Sequence, residues 1–297
     1  MRSLLWGLAL ALGLATAGLG ADVAEIRRRL YDPTDPCVLV AAHRGDWRNA
    51  PENSLSAIRR AVELGVDIVE VDVRRTRDGR FVIIHDTTLD RTTTGRGLVA
   101  DFTLAQLQGL RLLAATGHPT EEKIPTLEQA LDAVRGKAIL NLDKAYDFPG
   151  EIFAVVEACN SVDFALFSID KPLDDIAPHH PDLLKKAMLM IVVPLWRPDA
   201  GKFIDDYLTR AKPVVVQVVF DPAHVSALSN AQQVRTGGAR LWINTIWPEL
   251  CGGYDDERAV DDPEKTYGWL LAQGATILQT DRPAYLLNYL RSRGRHP

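Results

Sequence analysis

Eight short apolar runs recur along the chain, with helical stretches between them. The runs are Cys37–Ala42, Ile68–Val73, Lys137–Leu142, Ala165–Ile169, Met188–Leu195, Val214–Phe220, Ala239–Ile246 and Thr276–Gln279. Most are rich in Val, Ile and Leu and lack polar alternation, as expected of strands covered on both faces. Helical spacing fills the gaps at Asn53–Leu64, Thr126–Val134, Glu151–Ala158, Lys202–Ala211, Pro263–Gln273 and Ala284–Ser292. Eight such units in 297 residues favour an α/β fold closed as a (β/α)8 TIM barrel over an open doubly wound sheet. No internal repeat or long linker marks a second domain, so residues 21–297 read as one unit. One connection breaks the rhythm. Arg77-Asp78-Gly79-Arg80 is a turn signal leading into Phe81–Ile84, and residues 87–123 then run on before the next helix. An insertion of that size after the second barrel strand is expected to cover part of the mouth.

The first twenty residues stand apart. Arg2 precedes an apolar stretch from Leu4 to Leu14, followed by the small residues Ala15, Ala17, Gly18 and Gly20. This is the pattern of a secretory signal peptide cut between Ala17 and Ala21, which implies a periplasmic or secreted protein. Its apolar core is short for a membrane span, so no stable span is expected after processing. The chain carries a net charge of −5 and has no extended Lys/Arg-rich stretch, so it lacks the electrostatic footprint of a nucleic-acid binder. Cys37, Cys159 and Cys251 are widely spaced and match neither a zinc site nor a disulfide framework. They read as apolar fillers, with a single bridge left open.

The chemistry concentrates in one stretch holding His43-Arg44-Gly45, Glu70-Val71-Asp72 and His85-Asp86. Glu70 and Asp72 are two apart on a strand and project from one face, while Val69, Val71 and Val73 take the other. Two carboxylates aimed together repel unless a cation or a shared proton compensates them, and hard oxygen donors suit Mg2+ or Ca2+. An exposed acidic pair is the competing reading, and the flanking valines argue against it. Arg44 offers a planar fork for phosphate oxygens, and Gly45 permits a tight turn. Taken singly, His43 and His85 are ambiguous between structural and catalytic roles, and Asp86 between orienting His85 and capping a turn. Asn53 reads as a helix cap and Asp281 as a cap for the last helix. Glu52 lies close after the His43 turn, with its role open. Trp242 and Asn244 share a strand face and are candidates for a substrate pocket, with core packing the alternative for Trp242.

These motifs resemble the glycerophosphodiester phosphodiesterase family. The H-R-G strand end, the Pro51-Glu52-Asn53-Ser54 helix start, the Glu70/Asp72 pair and the His85-Asp86 dipeptide follow its hallmark. Leu89-Asp90-Arg91-Thr92-Thr93, Gly95-Arg96-Gly97 and Gln279-Thr280-Asp281-Arg282-Pro283 extend the likeness. It is dense from residue 40 to about 145 and patchy beyond. The resemblance implies a reaction at the C-terminal ends of the barrel strands. One divalent cation, Mg2+ or Ca2+, would be held by Glu70, Asp72 and Asp143, with His43 and His85 exchanging protons and Arg44 on the phosphate.

The chain departs from the family at Asn141-Leu142-Asp143-Lys144-Ala145, where the typical pattern is N-x-E-x-K. Asp143 takes the ligand position with a shorter side chain. Lys144 falls one residue early, so it reaches the phosphate only if the strand ends or bulges after Asp143. The expectation is therefore a secreted, metal-dependent phosphodiesterase that hydrolyses small glycerophosphodiester-type molecules to an alcohol and a phosphomonoester. Two alternatives stay open: a lyase that forms a cyclic phosphate, and a non-catalytic phosphodiester-binding barrel. Which histidine acts as acid, which cation is used and how the chain oligomerises are not legible at this level.

Overall fold

The strand-length runs all pair, and their pairing closes. The computed structural model describes residues 22–297, so the signal-peptide reading of residues 1–20 lies outside the described residues. The strands are β1 (Leu39–Ala42), β2 (Ile68–Arg75), β3 (Phe81–Ile83), β4 (Ile139–Asp143) and β5 (Ala165–Ile169). They continue with β6 (Met188–Pro194), β7 (Val215–Val219), β8 (Arg240–Asn244) and β9 (Ile277–Thr280). Every strand except β3 pairs in parallel with its neighbours. β1 bonds both β2, with Ala41 opposite Ile68, and β9, with Leu39 opposite Ile277. The result is an eight-strand parallel barrel with helices between the strands, as the apolar rhythm predicts. Closure leaves the barrel without an open edge. β3 lies antiparallel on the upper end of β2, with Val73 opposite Ile83.

Register sets the floor of the mouth. Val69, Val71 and Val73 pack into the apolar core, while Glu70 sits opposite Asn141 and Asp72 opposite Asp143. Strand alternation therefore places polar side chains inside the upper barrel and keeps the aliphatic ones under the helices.

The helix Leu55–Leu64 begins at Ser54, whose hydroxyl accepts from the Ala57 N–H, and ends at Gly65 in the left-handed conformation. Such an N-cap contributes about 1 kcal/mol. Ser54, not Asn53, is thus the cap. The last helix, Pro283–Ser292, starts with Pro283 at its first turn and draws no side-chain cap from Asp281. The expected helix Pro263–Gln273 divides into a π segment, Glu264–Gly268, and a short α segment, Trp269–Ala272. Between β5 and β6 run two helices, Leu173–Ile176 and Pro181–Lys186, too short for a sequence period to reveal.

Residues 87–123 form a small layered unit with the helical segments Val99–Asp101 and Leu104–Leu107. Leu89, Val99, Leu107 and Leu112 pack with Val82, Ile84 and Ile124 into a core of their own. A bridge between Leu113 and Pro119 closes a hairpin at its end. The three cysteines are free; Cys251 is buried, whereas Cys37 and Cys159 are half-buried. No helix among the described residues is long and apolar enough to cross a membrane.

Candidate active site

The turn after β1 is built from two successive left-handed residues, Arg44 (φ 52°) and Gly45 (φ 76°). A Cβ on Gly45 would lie 2.6 Å from the Ala57 backbone carbon, so only glycine permits this approach. The turn aims the Arg44 N–H at Glu70 Oε2 (2.9 Å) and swings the guanidinium back over the mouth. There Nη1 pairs with Glu52 Oε1 at 2.9 Å, and Nε stands 3.5 Å from Asp72 Oδ2. Arg44 Nε is buried and has no hydrogen-bond partner among the described residues. It faces the Asp72 carboxylate, so the guanidinium charge is shared between Glu52 and Asp72.

Asn53, also left-handed (φ 59°), grips Asp72 twice. Its Nδ2 donates to Asp72 Oδ2 at 2.8 Å, and its Oδ1 accepts from the Asp72 N–H at 3.2 Å. Glu70 also accepts from Gln279 Nε2 at 3.3 Å. Glu70, Asp72 and Asp143 bring carboxylate oxygens within 4.8 Å of one another. Burial, followed by the Asp72 charge, pushes the Glu70 carboxyl well above the usual range. Burial acts on Asp72 in the same direction, but Lys144 and Arg44 outweigh it and hold that carboxyl low. A crowded, partly dry set of three carboxylates favours a positive charge at its centre, and its hard oxygen donors fit Mg2+ or Ca2+.

Lys144 joins this cluster. β4 ends at Asp143, and Lys144 takes a left-handed backbone (φ 62°) that turns its side chain inward. Its ammonium bonds Asp72 Oδ1 and, at 2.9 Å, Asp143 Oδ2. Burial would lower its pKa, but the Asp72 and Asp143 charges raise it. The strand ending foreseen as the condition for Lys144 to reach the mouth is met. The displaced lysine therefore no longer argues for a binding-only barrel.

Each histidine has its own carboxylate. His43 Nδ1 lies 2.7 Å from Asp281 Oδ1, which also accepts from Trp47 Nε1 at 2.6 Å. The Asp281 N–H donates to Asp256 Oδ2 at 2.7 Å. Asp256 Oδ1 in turn accepts from Thr245 Oγ1, Tyr267 OH and Thr280 Oγ1, and burial pushes its carboxyl up to about 6. His85 Nδ1 lies 2.6 Å from Asp86 Oδ1, and its carbonyl accepts two bonds from Arg74. Arg91 clamps both Asp86 and Glu52, so the insertion ties the His85 loop to the His43 turn. In both histidines a carboxylate engages Nδ1 and leaves Nε2 for the cavity.

Their proton affinities diverge. Burial would lower the His43 pKa, but the Asp281 hydrogen bond and the Glu70 charge raise it above the ordinary value. Burial lowers that of half-buried His85 despite the Asp72 charge.

His43, Arg44, Glu70, Asp72, His85, Asp143, Lys144 and Asn244 all line one cavity of about 260 Å³. Trp242 does not reach it. That indole is fully buried, with Nε1 donating to Asn244 Oδ1 at 2.7 Å and facing Gln279 Oε1 at 3.3 Å. It fixes Asn244 from below, so its place among the pocket residues is corrected. Residues missed at the sequence level are Asp281, Asp256, Arg91 and Trp247. Asp281 had a usable signal, because it stands two residues past the last apolar run, at the same end of the barrel as His43.

A family model described as a domain of unknown function matches residues 189–290. A glycerophosphodiester phosphodiesterase of Caldanaerobacter subterraneus is 48% identical over 103 residues, 34% of this chain and 42% of that protein. Human glycerophosphodiester phosphodiesterase 1 is 40% identical over 122 residues, covering 39% of this chain and 35% of that one. The match thus spans less than half the length of these curated relatives. A solved glycerophosphoryl diester phosphodiesterase of Parabacteroides distasonis superposes with a TM-score of 0.73 at 26% identity, covering 92% of this chain and 93% of its own. Most of the matching relatives and solved structures carry that name, and over the stretches they match the chain is similar to glycerophosphodiester phosphodiesterases.

Proposed function

We propose that the protein is a metal-dependent phosphodiesterase acting outside the cytoplasm on small glycerophosphodiester-type molecules. The observation that carries this reading is the pair of oppositely tuned histidines, each braced by its own carboxylate, beside three clustered carboxylates and Arg44. The names borne by the relatives support it, and the leader-like residues 1–20 support an extracytoplasmic site.

Phosphodiester cleavage is slow because the oxygens are anionic and the leaving alkoxide is poor. Enzymes reach accelerations of up to about 10¹⁷ on slow reactions, roughly 23 kcal/mol. One acid or base supplies about 10²–10⁴, so two histidines leave much of the barrier to electrostatics and positioning. A divalent cation held by Glu70, Asp72 and Asp143 would neutralise charge on the phosphoryl oxygens. Arg44 binds a phosphate oxygen through guanidinium N–H groups that Glu52 does not occupy. His85, whose proton affinity is lowered, takes a proton from the attacking water as its oxygen bonds phosphorus. The bond from phosphorus to the leaving oxygen breaks, and His43, whose affinity is raised, gives that oxygen its proton. The products are an alcohol and a phosphomonoester.

The test is turnover of glycerophosphocholine, glycerophosphoinositol and a chromogenic diester with Mg2+ or Ca2+, with and without chelator. Turnover that stops with chelator and returns with added cation is expected. Undiminished turnover in chelator would remove the metal from the account.

A further inference from the structure

A second cavity, of about 400 Å³, lies beside the first and shares His43, Arg44 and Trp247 with it as walls. The two differ in chemistry. Beside the carboxylate cluster the smaller one offers Asn141, Asp170, Gln217 and Asn244 to hydroxyl groups, together with apolar wall from residues such as Val192 and Ile246. The larger one is walled by Trp47 and Trp247 on the barrel side and by Leu113, Ala114, Ala115 and Gly117 on the insertion hairpin. Small side chains at the hairpin end are what keep it open.

Its charged residues are already spent. Glu52 is engaged by Arg44 and Arg91, and Asp281 by His43 and Trp47. Each indole also has an arginine near its ring, Arg48 at 5.1 Å from Trp47 and Arg44 at 5.9 Å from Trp247. Two arginines among the lining residues balance the two carboxylates, so the cavity has no surplus negative charge with which to draw in a cationic group. What remains on offer is apolar and aromatic surface with one buried hydroxyl, at Thr92, unpaired among the described residues, in a volume suited to a small organic group.

We propose that this larger cavity seats one alcohol of the diester, and that it selects an uncharged alcohol with an apolar body. The inference rests on the phosphodiesterase reading. With the phosphate on Arg44, at the junction, a hydroxyl-rich alcohol lies on the carboxylate side and the apolar one lies between Trp47, Trp247 and the hairpin.

The test compares three glycerol phosphodiesters whose second alcohol is methanol, 2-phenylethanol or choline. The expected kcat/KM for the 2-phenylethyl diester is at least about tenfold above both others, the scale on which an apolar pocket discriminates. Filling the cavity with Ala114→Trp, or with Ala115→Trp at the exposed hairpin end, should collapse that ratio to below about threefold. A thermal melt confirms that each variant is folded. Equal turnover of the methyl and 2-phenylethyl diesters by the unmodified protein would overturn this inference and leave the phosphodiesterase reading standing. So would a preference for choline, or a 2-phenylethyl preference that survives in the folded variants. Failure to turn over any of the three with Mg2+ or Ca2+ would instead sink the phosphodiesterase reading, and the inference with it.

Discussion

Replacing Asp281 by asparagine removes the charge that sits 2.7 Å from His43 Nδ1 and keeps the side chain's shape. Asp281 is 6% exposed, so water cannot substitute for the lost carboxylate. A hydrogen bond to a charged group contributes about 1.5–3 kcal/mol. One pKa unit corresponds to about 1.4 kcal/mol, so the His43 pKa should fall by about 1–2 units. The sign follows from the role of the group. Burial opposes the imidazolium, and the Asp281 bond is the first of the contributions that raise its pKa above the ordinary value. Without that bond, His43 loses its proton at lower pH. As the proposed acid it must be protonated, so the alkaline limb of the kcat/KM profile moves about 1–2 units toward acid. The acid limb, set by neutral His85, stays in place. The asparagine also weakens control of the ring tautomer, and kcat at the optimum should drop about 10- to 100-fold. The main-chain bond from residue 281 to Asp256 survives, which keeps the fold. Steady-state kinetics from about pH 5 to 10 with a non-ionising diester is the assay. An alkaline limb that does not move would refute the assignment of Asp281 to His43 and of His43 to the acid role.

Lys144→Met should lower the Kd for Ca2+ in the absence of substrate by about tenfold, or about 1.4 kcal/mol, because an ammonium no longer competes for Asp72 and Asp143. Calorimetric titration reads this, and weaker cation binding would show that Lys144 supports the site instead. Gly45→Ala places a methyl group 2.6 Å from the Ala57 backbone at a left-handed residue, and should destabilise the fold by about 2–4 kcal/mol in a denaturant or thermal melt. An unchanged melt would mean that the turn has room to shift. Expression with its leader in a bacterial host should give a mature N-terminus between Ala17 and Ala21 by intact mass; retention of Met1 in the exported fraction would count against cleavage.

The barrel was legible because its strands are covered on both faces, which turns each into a short aliphatic run such as Val214–Phe220. The Glu70/Asp72 placement was legible because strand alternation is local. What escaped depends on backbone outside regular structure or on residues far apart in the chain. Lys144 breaks the strand's face rule because β4 stops before it and its φ is positive, which no residue period encodes. Asn53 looked like a cap because asparagine favours that position, yet Ser54 supplies the cap and frees Asn53 to hold Asp72. Trp242 shares a face with Asn244, but alternation gives the face and not the depth, and Trp242 lies one layer lower in full burial. The Asp281–His43 contact joins residues 238 positions apart, so only the closure of β9 against β1 brings it about.

Metal-assisted hydrolysis by two histidines of different proton affinity is tested most directly by phosphorus NMR of a glycerophosphodiester reaction. With the unmodified protein and Mg2+ or Ca2+, the diester signal should give way to a phosphomonoester signal. No such conversion should occur in chelator, or with folded His43→Ala or His85→Ala. A cyclic phosphate as the released product, or conversion at near-normal rate by both alanine variants, would contradict it.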